Sequence, residues 1–367
     1  MFILMGSFAF ASGIGKRLYD AAYTILGNLS GGLTMATVVA CGFFAAICGS
    51  TAATAATIGK IALPEMKRYH YDDSFATGCL ASAGTLGIFI PPSTIFLVYG
   101  IITEQSVGKL FVAGIIPGVI LTFLFVMVVG LLCWRDPSCA PAGASTDWKQ
   151  KGKALIGIFK ALILFGLVIG GLFFGWFTPT QAGGIGAAGA LMIGLVRRQL
   201  SWRVFIDSTR DGLRTSCMVL CIIAGATVFG HFMAVSTIPF VLADWVGGLP
   251  LPPMAIMEVI VMIYLVGGCF MDAMALVVLT VPVIFPVVVK LGFDPIWFGV
   301  VIVLVSEMGV ITPPVGVNVY VIKGIAPEVP LEKIFKGIFP FLIAIFINTG
   351  ILMAFPKLAL ILPALAK

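Results

Sequence analysis

The chain has 367 residues, of which 60% are hydrophobic and 10% are charged. This composition excludes a soluble globule with a water-facing surface and indicates an all-α polytopic membrane protein. The net charge of +6 does not indicate a nucleic-acid partner, because Lys and Arg collect in the cytoplasmic loops of such proteins.

The chain starts with two stretches that are too short or too polar to span a bilayer. Residues 1–14 are apolar but short, and residues 16–27 are amphipathic, typical of a helix at the membrane interface. Residues 31–66 suit two short helices better than one span, so we predict a re-entrant helical hairpin with its tip near residues 48–51. Residues 74–100 then predict a crossing that is broken at Pro91-Pro92.

The remaining apolar segments continue this pattern. We predict further crossings at about residues 109–134, 154–175, 179–196 and 213–238. A second re-entrant hairpin is predicted at 252–290, with its tip near residues 267–272. A second broken helix at 295–322, with its break at residues 307–316, and a last span at 337–356 complete the path.

The hairpins and broken helices form an internal repeat. Residues 64–94 align without a gap, at an offset of 222, with the segment that begins at Pro286, so Pro91-Pro92 falls on Pro313-Pro314. The sequence therefore predicts a first repeat at residues 1–153 and a second at 154–367. Repeats with proline-broken helices are typical of secondary transporters.

The positions of the basic residues predict that the repeats are inverted. Placing the base of the first hairpin in the cytoplasm puts 18 of the 22 Lys and Arg residues on the inner side, including the basic loop with arginines at 197–214. Five predicted crossings then separate the hairpins, so the second must enter from the opposite face. The first repeat lacks a counterpart of residues 154–222, and we expect roughly 70 residues before Met1 in the working protein. A genuine short form whose partner subunit supplies those spans is the alternative.

The hairpin tips and helix breaks are the candidate binding regions. Non-helical backbone at membrane depth is tolerated where it lines a cavity or binds a ligand. Freed carbonyls and hydroxyls suit Na⁺, and the N-termini of half-helices suit an organic anion. We expect one cation site per repeat, each built from the equivalent elements: Ser50, Thr51 and Gly87 in the first, and Asp272, Gly309 and Thr312 in the second.

These assignments have simpler alternatives. Ser and Thr in membrane helices also serve ordinary packing, where small residues let backbones approach. Asp272 and Glu307 are stronger candidates, because an Asp at membrane depth costs about 2.5–3.5 kcal/mol by insertion scales. Asp272 could nevertheless be protonated or could cap a half-helix. The eight cysteines mostly lie in apolar spans and are interpreted as small hydrophobic residues.

Four segments resemble the large membrane subunit of the tripartite ATP-independent periplasmic (TRAP) transporters. They are GSTAATAATIGK at residues 49–60, LPEM at 63–66, GTLGIFIPPS at 84–93 and ITPPVG at 311–316. The resemblance covers essentially the whole chain, apart from an N-terminus that lacks about two of the family's spans. It implies an elevator-type secondary transporter in a bacterial or archaeal inner membrane, driven by Na⁺, that imports carboxylates such as C4-dicarboxylates or sialic acid.

The resemblance also implies partners and site residues. The partners are a small four-helix membrane subunit, a periplasmic substrate-binding protein and the surrounding lipid. The Na⁺ sites would take residues from the tips and the breaks: Gly49, Ser50, Thr51, Gly84, Gly87, Gly268, Asp272, Gly309 and Thr312. The carboxylate would lie between them, against Ser50, Thr51, Thr85, Pro91, Pro92, Pro313, Pro314 and Asn318.

Three other functions were weighed. A Na⁺- or proton-coupled anion permease could share the inverted-hairpin plan without a binding protein. An intramembrane enzyme is not expected, since the sequence has neither a Gly-x-Ser-x-Gly elbow nor a His-Glu-x-x-His motif. A passive channel is disfavoured because paired broken helices indicate alternating access. The substrate's identity, its charge-pairing residue and the Na⁺ stoichiometry stay open.

Overall fold

A computed structural model describes residues 1–142 and 148–365, apart from the side chains of residues 148–150, 152–158, 160 and 161. The regular structure of these residues consists of α-helices and one short 3-10 turn. The first eight helices are α1 Phe2–Ala11, α2 Ile14–Leu26, α3 Gly32–Cys48, α4 Thr51–Arg68, α5 Asp73–Gly84, α6 Leu86–Phe89, α7 Thr94–Ile102 and α8 Val107–Arg135. Those that follow are α9 Trp148–Phe173, α10 Pro179–Val196, α11 Trp202–Ser236, α12 Ile238–Gly247, α13 Pro253–Phe270, α14 Ala273–Lys290, α15 Pro295–Ile311, α16 Val317–Ile325, α17 Leu331–Ala354 and α18 Lys357–Leu365.

Six helices in the described ranges are long and apolar enough to cross a membrane, and a bent pair in the first repeat brings the number to seven. The six are α8, α10, α11, α13, α14 and α17. The expected crossing at 213–238 is too short, because α11 already begins at Trp202, whose preceding Ser201 caps the helix by accepting a hydrogen bond from the Val204 amide at 3.3 Å.

The first hairpin turns within two residues. Gly49 ends α3 with a φ of 62°, a left-handed conformation that favours glycine. Ser50 then caps α4, its hydroxyl accepting a hydrogen bond from the Ala53 amide at 3.4 Å. A glycine stop followed by a serine cap thus places the tip at the residues predicted from the sequence.

The second hairpin is tighter than expected. α13 extends to Phe270, so Gly267 and Gly268 lie inside its last turn rather than in the tip. The turn consists of Met271 and Asp272, and the Asp272 carboxylate caps α14 by accepting a hydrogen bond from the Met274 amide at 2.9 Å. Glycine in a membrane helix does not break it when the backbone bonds continue, which explains the difference.

The two helix breaks also differ in extent. In the first repeat the α5–α6 segment and α7 meet at an angle of 42° across residues 90–93. In the second, the break was expected to begin at Glu307, but α15 stays helical through Ile311 and the break spans residues 312–316. Gly316, with a φ of 62°, leads into α16. Glu307, Met308 and Gly309 are therefore helical residues that lie before the break.

Candidate functional site

The two hairpin tips line one cavity of about 520 Å³. The first tip contributes Gly49 and Ser50, and the second contributes Asp272 and Met274. Helices α1 and α11 form the opposite wall. Elements that are more than 200 residues apart in sequence thus meet around one space.

The first tip packs directly on the first helix break. A Cβ atom added at Gly87 would lie 2.5 Å from the carbonyl oxygen of Ser50, so only glycine allows this approach. The Thr94 hydroxyl, from the first turn of α7, donates a hydrogen bond to the Gly49 carbonyl at 3.2 Å. Backbone oxygens and hydroxyls from the tip and the break therefore lie together, and these are ligand types that Na⁺ accepts.

The second tip makes the equivalent contact through glycines. A Cβ at Gly309 would lie 2.5 Å from the Cα atom of Gly268, and the Val315 amide donates a hydrogen bond to the Cys269 carbonyl at 3.3 Å. The Thr312 hydroxyl donates to the Met308 carbonyl at 2.7 Å, within its own helix. The last turn of α13, which leads into the second tip, thus packs at backbone distance against the end of α15 and the break that follows it.

A hydrogen bond joins the two repeats at this point. The Thr51 hydroxyl donates to the Glu307 carboxylate at 3.0 Å, and the two residues are only 5% and 2% exposed. The sequence indicated Glu307 as functional but gave no partner for it. The partner lies 256 positions away, so no local pattern could have identified it.

Several predicted site residues lie away from the cavity wall. The Thr85 hydroxyl donates to the Ser82 carbonyl at 2.7 Å, and the buried Asn318 amide donates to the Ala81 carbonyl at 3.1 Å. Of the predicted site residues, the wall includes Gly49, Ser50 and Asp272. The others surround the tips and breaks: Thr51, Gly84, Thr85, Gly87, Pro91, Pro92, Gly268, Gly309, Thr312, Pro313, Pro314 and Asn318.

Helix α11 contributes a polar wall that the sequence reading missed. Asp207, Asp211 and Thr215 recur every fourth residue and therefore share one helix face, with Ser208 beside them, and all four line the cavity. The neighbouring arginines led us to interpret this segment as a basic cytoplasmic loop. The four-residue spacing of its polar residues was the available signal. The described wall residues include no Lys or Arg.

Comparison with known proteins identifies the kind of molecule that has this plan. Residues 1–358 match the family model of the tripartite ATP-independent periplasmic transporter, DctM component. The chain belongs to this DctM family. It is therefore a large permease of a TRAP transporter, a multi-pass protein of the bacterial inner membrane, and not an enzyme.

The names of individual relatives state different substrates. The chain is 35% identical to the C4-dicarboxylate TRAP transporter large permease protein DctM of Pseudomonas aeruginosa, over 99% of this chain and 84% of that protein. It is 31% identical to the sialic acid permease SiaM of Vibrio cholerae, over 99% and 85%. The isethionate permease DctMQ of Oleidesulfovibrio alaskensis is 37% identical, over 97% of this chain and 56% of that longer protein.

Two further results concern the fold and the N-terminus. The structure superposes on the YdaH transporter of Alcanivorax borkumensis with a TM-score of 0.57 at 15% identity, covering 97% of this chain and 85% of that one, which supports a transporter fold. The family match begins at residue 1, so the expectation that N-terminal spans are lacking gains no support from it.

Proposed function

We propose that the chain imports a small organic acid together with Na⁺, as the large permease of a TRAP system with a periplasmic binding protein and a small membrane subunit. The observation that carries this proposal is a cavity lined by both hairpin tips. The first tip contacts its helix break, and the last turn of α13, beside the second tip, contacts the end of α15, so each repeat has backbone oxygens close to its tip. Na⁺ is here a transported substrate, bound once per repeat.

The anion would be held by helix N-termini rather than by a basic side chain. Both α4 and α14 begin at the cavity, where Ser50 and Asp272 are their cap residues. A helix N-terminus presents free amides and a positive dipole end to an anion. We infer the chemical class of the anion from the relatives, whose names state C4-dicarboxylate, sialic acid or isethionate. We therefore propose a carboxylate, with a small sulfonate as the second class to test.

Transport would proceed by movement of one unit against a scaffold. The proposed moving unit is residues 31–100 with 252–322, and the hairpins within it are re-entrant. The cavity lies at the boundary of this unit, because α1 and α11 of the scaffold form its other wall. A cysteine pair such as Ala53→Cys with Val219→Cys, placed on opposite walls, should stop uptake when crosslinked. Full uptake by verified crosslinked protein would exclude the elevator mechanism.

The proposed function is tested by uptake into proteoliposomes. The chain and its small subunit are reconstituted under an inward Na⁺ gradient, with labelled C4-dicarboxylates, sialic acid and isethionate, each with and without the binding protein. We expect accumulation of one anion that requires both Na⁺ and the binding protein. Accumulation without the binding protein would instead support the self-sufficient permease, and equilibration without accumulation would support a channel.

A further inference from the structure

Glu307 occupies a position between the two tips. Its carboxylate accepts the hydrogen bond of Thr51, the first residue of α4, and both side chains are almost fully buried. Because the Thr51 hydroxyl is the donor in its hydrogen bond to Glu307, the lone pairs of the hydroxyl oxygen stay free to face a cation at the first tip.

The helical turn that carries Glu307 also packs on the second tip. A Cβ at Gly268 would lie 2.9 Å from the carbonyl oxygen of Ser306 and 3.1 Å from the Cα atom of Gly309. Residues 306 and 309 flank Glu307 in α15, so any shift of this turn reaches the second hairpin. One buried side chain is thus connected to both hairpins.

We propose that Glu307 is a positioning residue that couples the two cation sites, so that filling the first tip favours filling the second. This inference rests on the proposed function, because it assumes a Na⁺ site at each tip. A cation that fixes the Thr51 hydroxyl would fix Glu307, and the α15 turn would then hold Gly268 and the second tip in their binding geometry. Coupling of this kind typically changes affinity about 5–150-fold.

The test follows Na⁺ binding at each tip separately, without the transported anion. Exposed native thiols at Cys217 and Cys221, and the half-buried Cys139, are replaced by serine. A reporter is then introduced at one tip at a time, either Ala52→Cys or Met271→Cys, both at exposed positions. Maleimide labelling of the full chain with its small subunit is measured against NaCl, with KCl keeping the ionic strength constant.

We expect the two wild-type curves to coincide and to be steeper than a single-site curve. Glu307→Gln, which keeps the shape of the side chain but removes its charge, should separate the curves and make each non-cooperative. Thr51→Val should also separate the curves, and it should raise the half-saturating Na⁺ concentration by on the order of tenfold, as expected for the loss of one hydrogen bond to a carboxylate. Thr51→Ser keeps the hydroxyl and should restore coincidence.

The matched control is Thr37→Val. It removes another buried threonine hydroxyl from the first hairpin, one that bonds only to the Leu33 carbonyl of its own helix at 2.8 Å. Steep, coincident curves in Glu307→Gln and Thr51→Val would overturn the coupling while leaving the Na⁺ sites intact. Absence of any Na⁺ effect on labelling in the wild-type background would overturn both the Na⁺ sites and the coupling.

Discussion

The two repeats carry the same double-proline break in different surroundings. Pro91 and Pro92 are buried, whereas their counterparts Pro313 and Pro314 are exposed. The tips differ in the same direction, since Ser50 is half-buried and the equivalent Asp272 is exposed. A duplicated sequence thus fixes the local backbone path, but the helices packed around it decide how much of that path is exposed.

The helices that follow the breaks show how one residue changes the packing. When the repeat alignment is continued with one inserted residue, Gly114 of α8 falls on Gly337 of α17. Gly337 packs backbone to backbone against Gly78 of the other repeat, whereas Gly114 packs against the Phe96 ring of its own. The counterpart of Gly78 is Val300, whose side chain prevents a second close approach of this kind. The two repeats therefore share the same order of elements, but equivalent residues in them make different packing contacts.

The largest expected effect tests this unequal packing. In Gly337→Ala the added Cβ would overlap the carbonyl oxygen of Ser74, a backbone atom that cannot rotate away. We expect the free energy of unfolding to fall by roughly 3 kcal/mol or more, since overpacking costs typically 1–3 kcal/mol even where side chains can adjust. Thermal unfolding of the purified chain in detergent measures this loss of stability. In Gly114→Ala the nearest atom belongs to the Phe96 ring, 2.8 Å away, and the loss should be smaller.

Gly350→Ala is the control on the same helix. Among the described residues, no heavy atom outside its own helix backbone lies within 4 Å of the added Cβ, so the variant should be neutral or stabilised by up to about 1 kcal/mol. Equal melting temperatures for Gly337→Ala and Gly350→Ala would mean that the close contact between the repeats is absent in the protein.

The second prediction concerns the glycines at which each tip meets its break. Gly87→Ala would bring a Cβ to 2.5 Å from the Ser50 carbonyl, and Gly309→Ala would do the same to the Gly268 backbone. Each added Cβ should displace the neighbouring backbone at a cost of about 1–3 kcal/mol, which weakens cation binding by about tenfold or more. Na⁺-driven uptake should fall by the same factor. Gly324→Ala is the control, because in the described part of the chain no heavy atom beyond its own helix backbone lies within 4 Å of the added Cβ. If one of the two glycine variants transports normally, that repeat does not hold a cation at its tip.

The parts of the molecule that could be predicted from the sequence are the local ones. Gly49 followed by Ser50, and the two double prolines, mark the first tip and the two breaks, because turn and cap chemistry depends on adjacent residues. The helical course of Gly267, Gly268 and Gly309 was missed, since glycine permits a break without requiring one.

Contacts between distant segments could not be predicted in the same way. The bond from Thr51 to Glu307 depends on how distant helices pack, which no local spacing indicates. The polar spacing of α11 indicates a polar helix face, but not the cavity that this face lines. The charged residues of α11 also made its role hard to predict, because exposed aspartates between arginines are typical of a cytoplasmic loop. The missed residues are thus those whose role comes from a partner in another element.

The third prediction compares the two tips as cation ligands. Asp272→Asn keeps a side-chain oxygen that can cap α14, so the fold should be retained. Loss of the charge should raise the half-saturating Na⁺ concentration for uptake by on the order of tenfold, because carboxylates are stronger ligands for hard cations than neutral oxygens. Ser50→Ala removes a neutral hydroxyl and should have a smaller effect. An unchanged Na⁺ dependence in Asp272→Asn would remove this residue from the site.

The smallest expected effect separates the moving unit from the scaffold. The first hairpin ends in an ion pair from Lys67 to Glu328, and the second ends in one from Lys290 to Asp244 of α12. Both pairs are exposed, so Glu328→Gln and Asp244→Asn should each change the free energy of unfolding by less than about 1 kcal/mol.

The uptake rates of these two variants should nevertheless differ. Glu328 lies just beyond the proposed moving unit, in the short segment after α16, and we expect it to move with α16, so its pair with Lys67 need not break during transport. Asp244 belongs to α12, outside that unit, so its pair with Lys290 would have to break in each cycle. Asp244→Asn should therefore raise the initial uptake rate by up to about fivefold, which corresponds to 1 kcal/mol, while Glu328→Gln leaves it unchanged. The reverse pattern would place the boundary of the moving unit on the other side of α12.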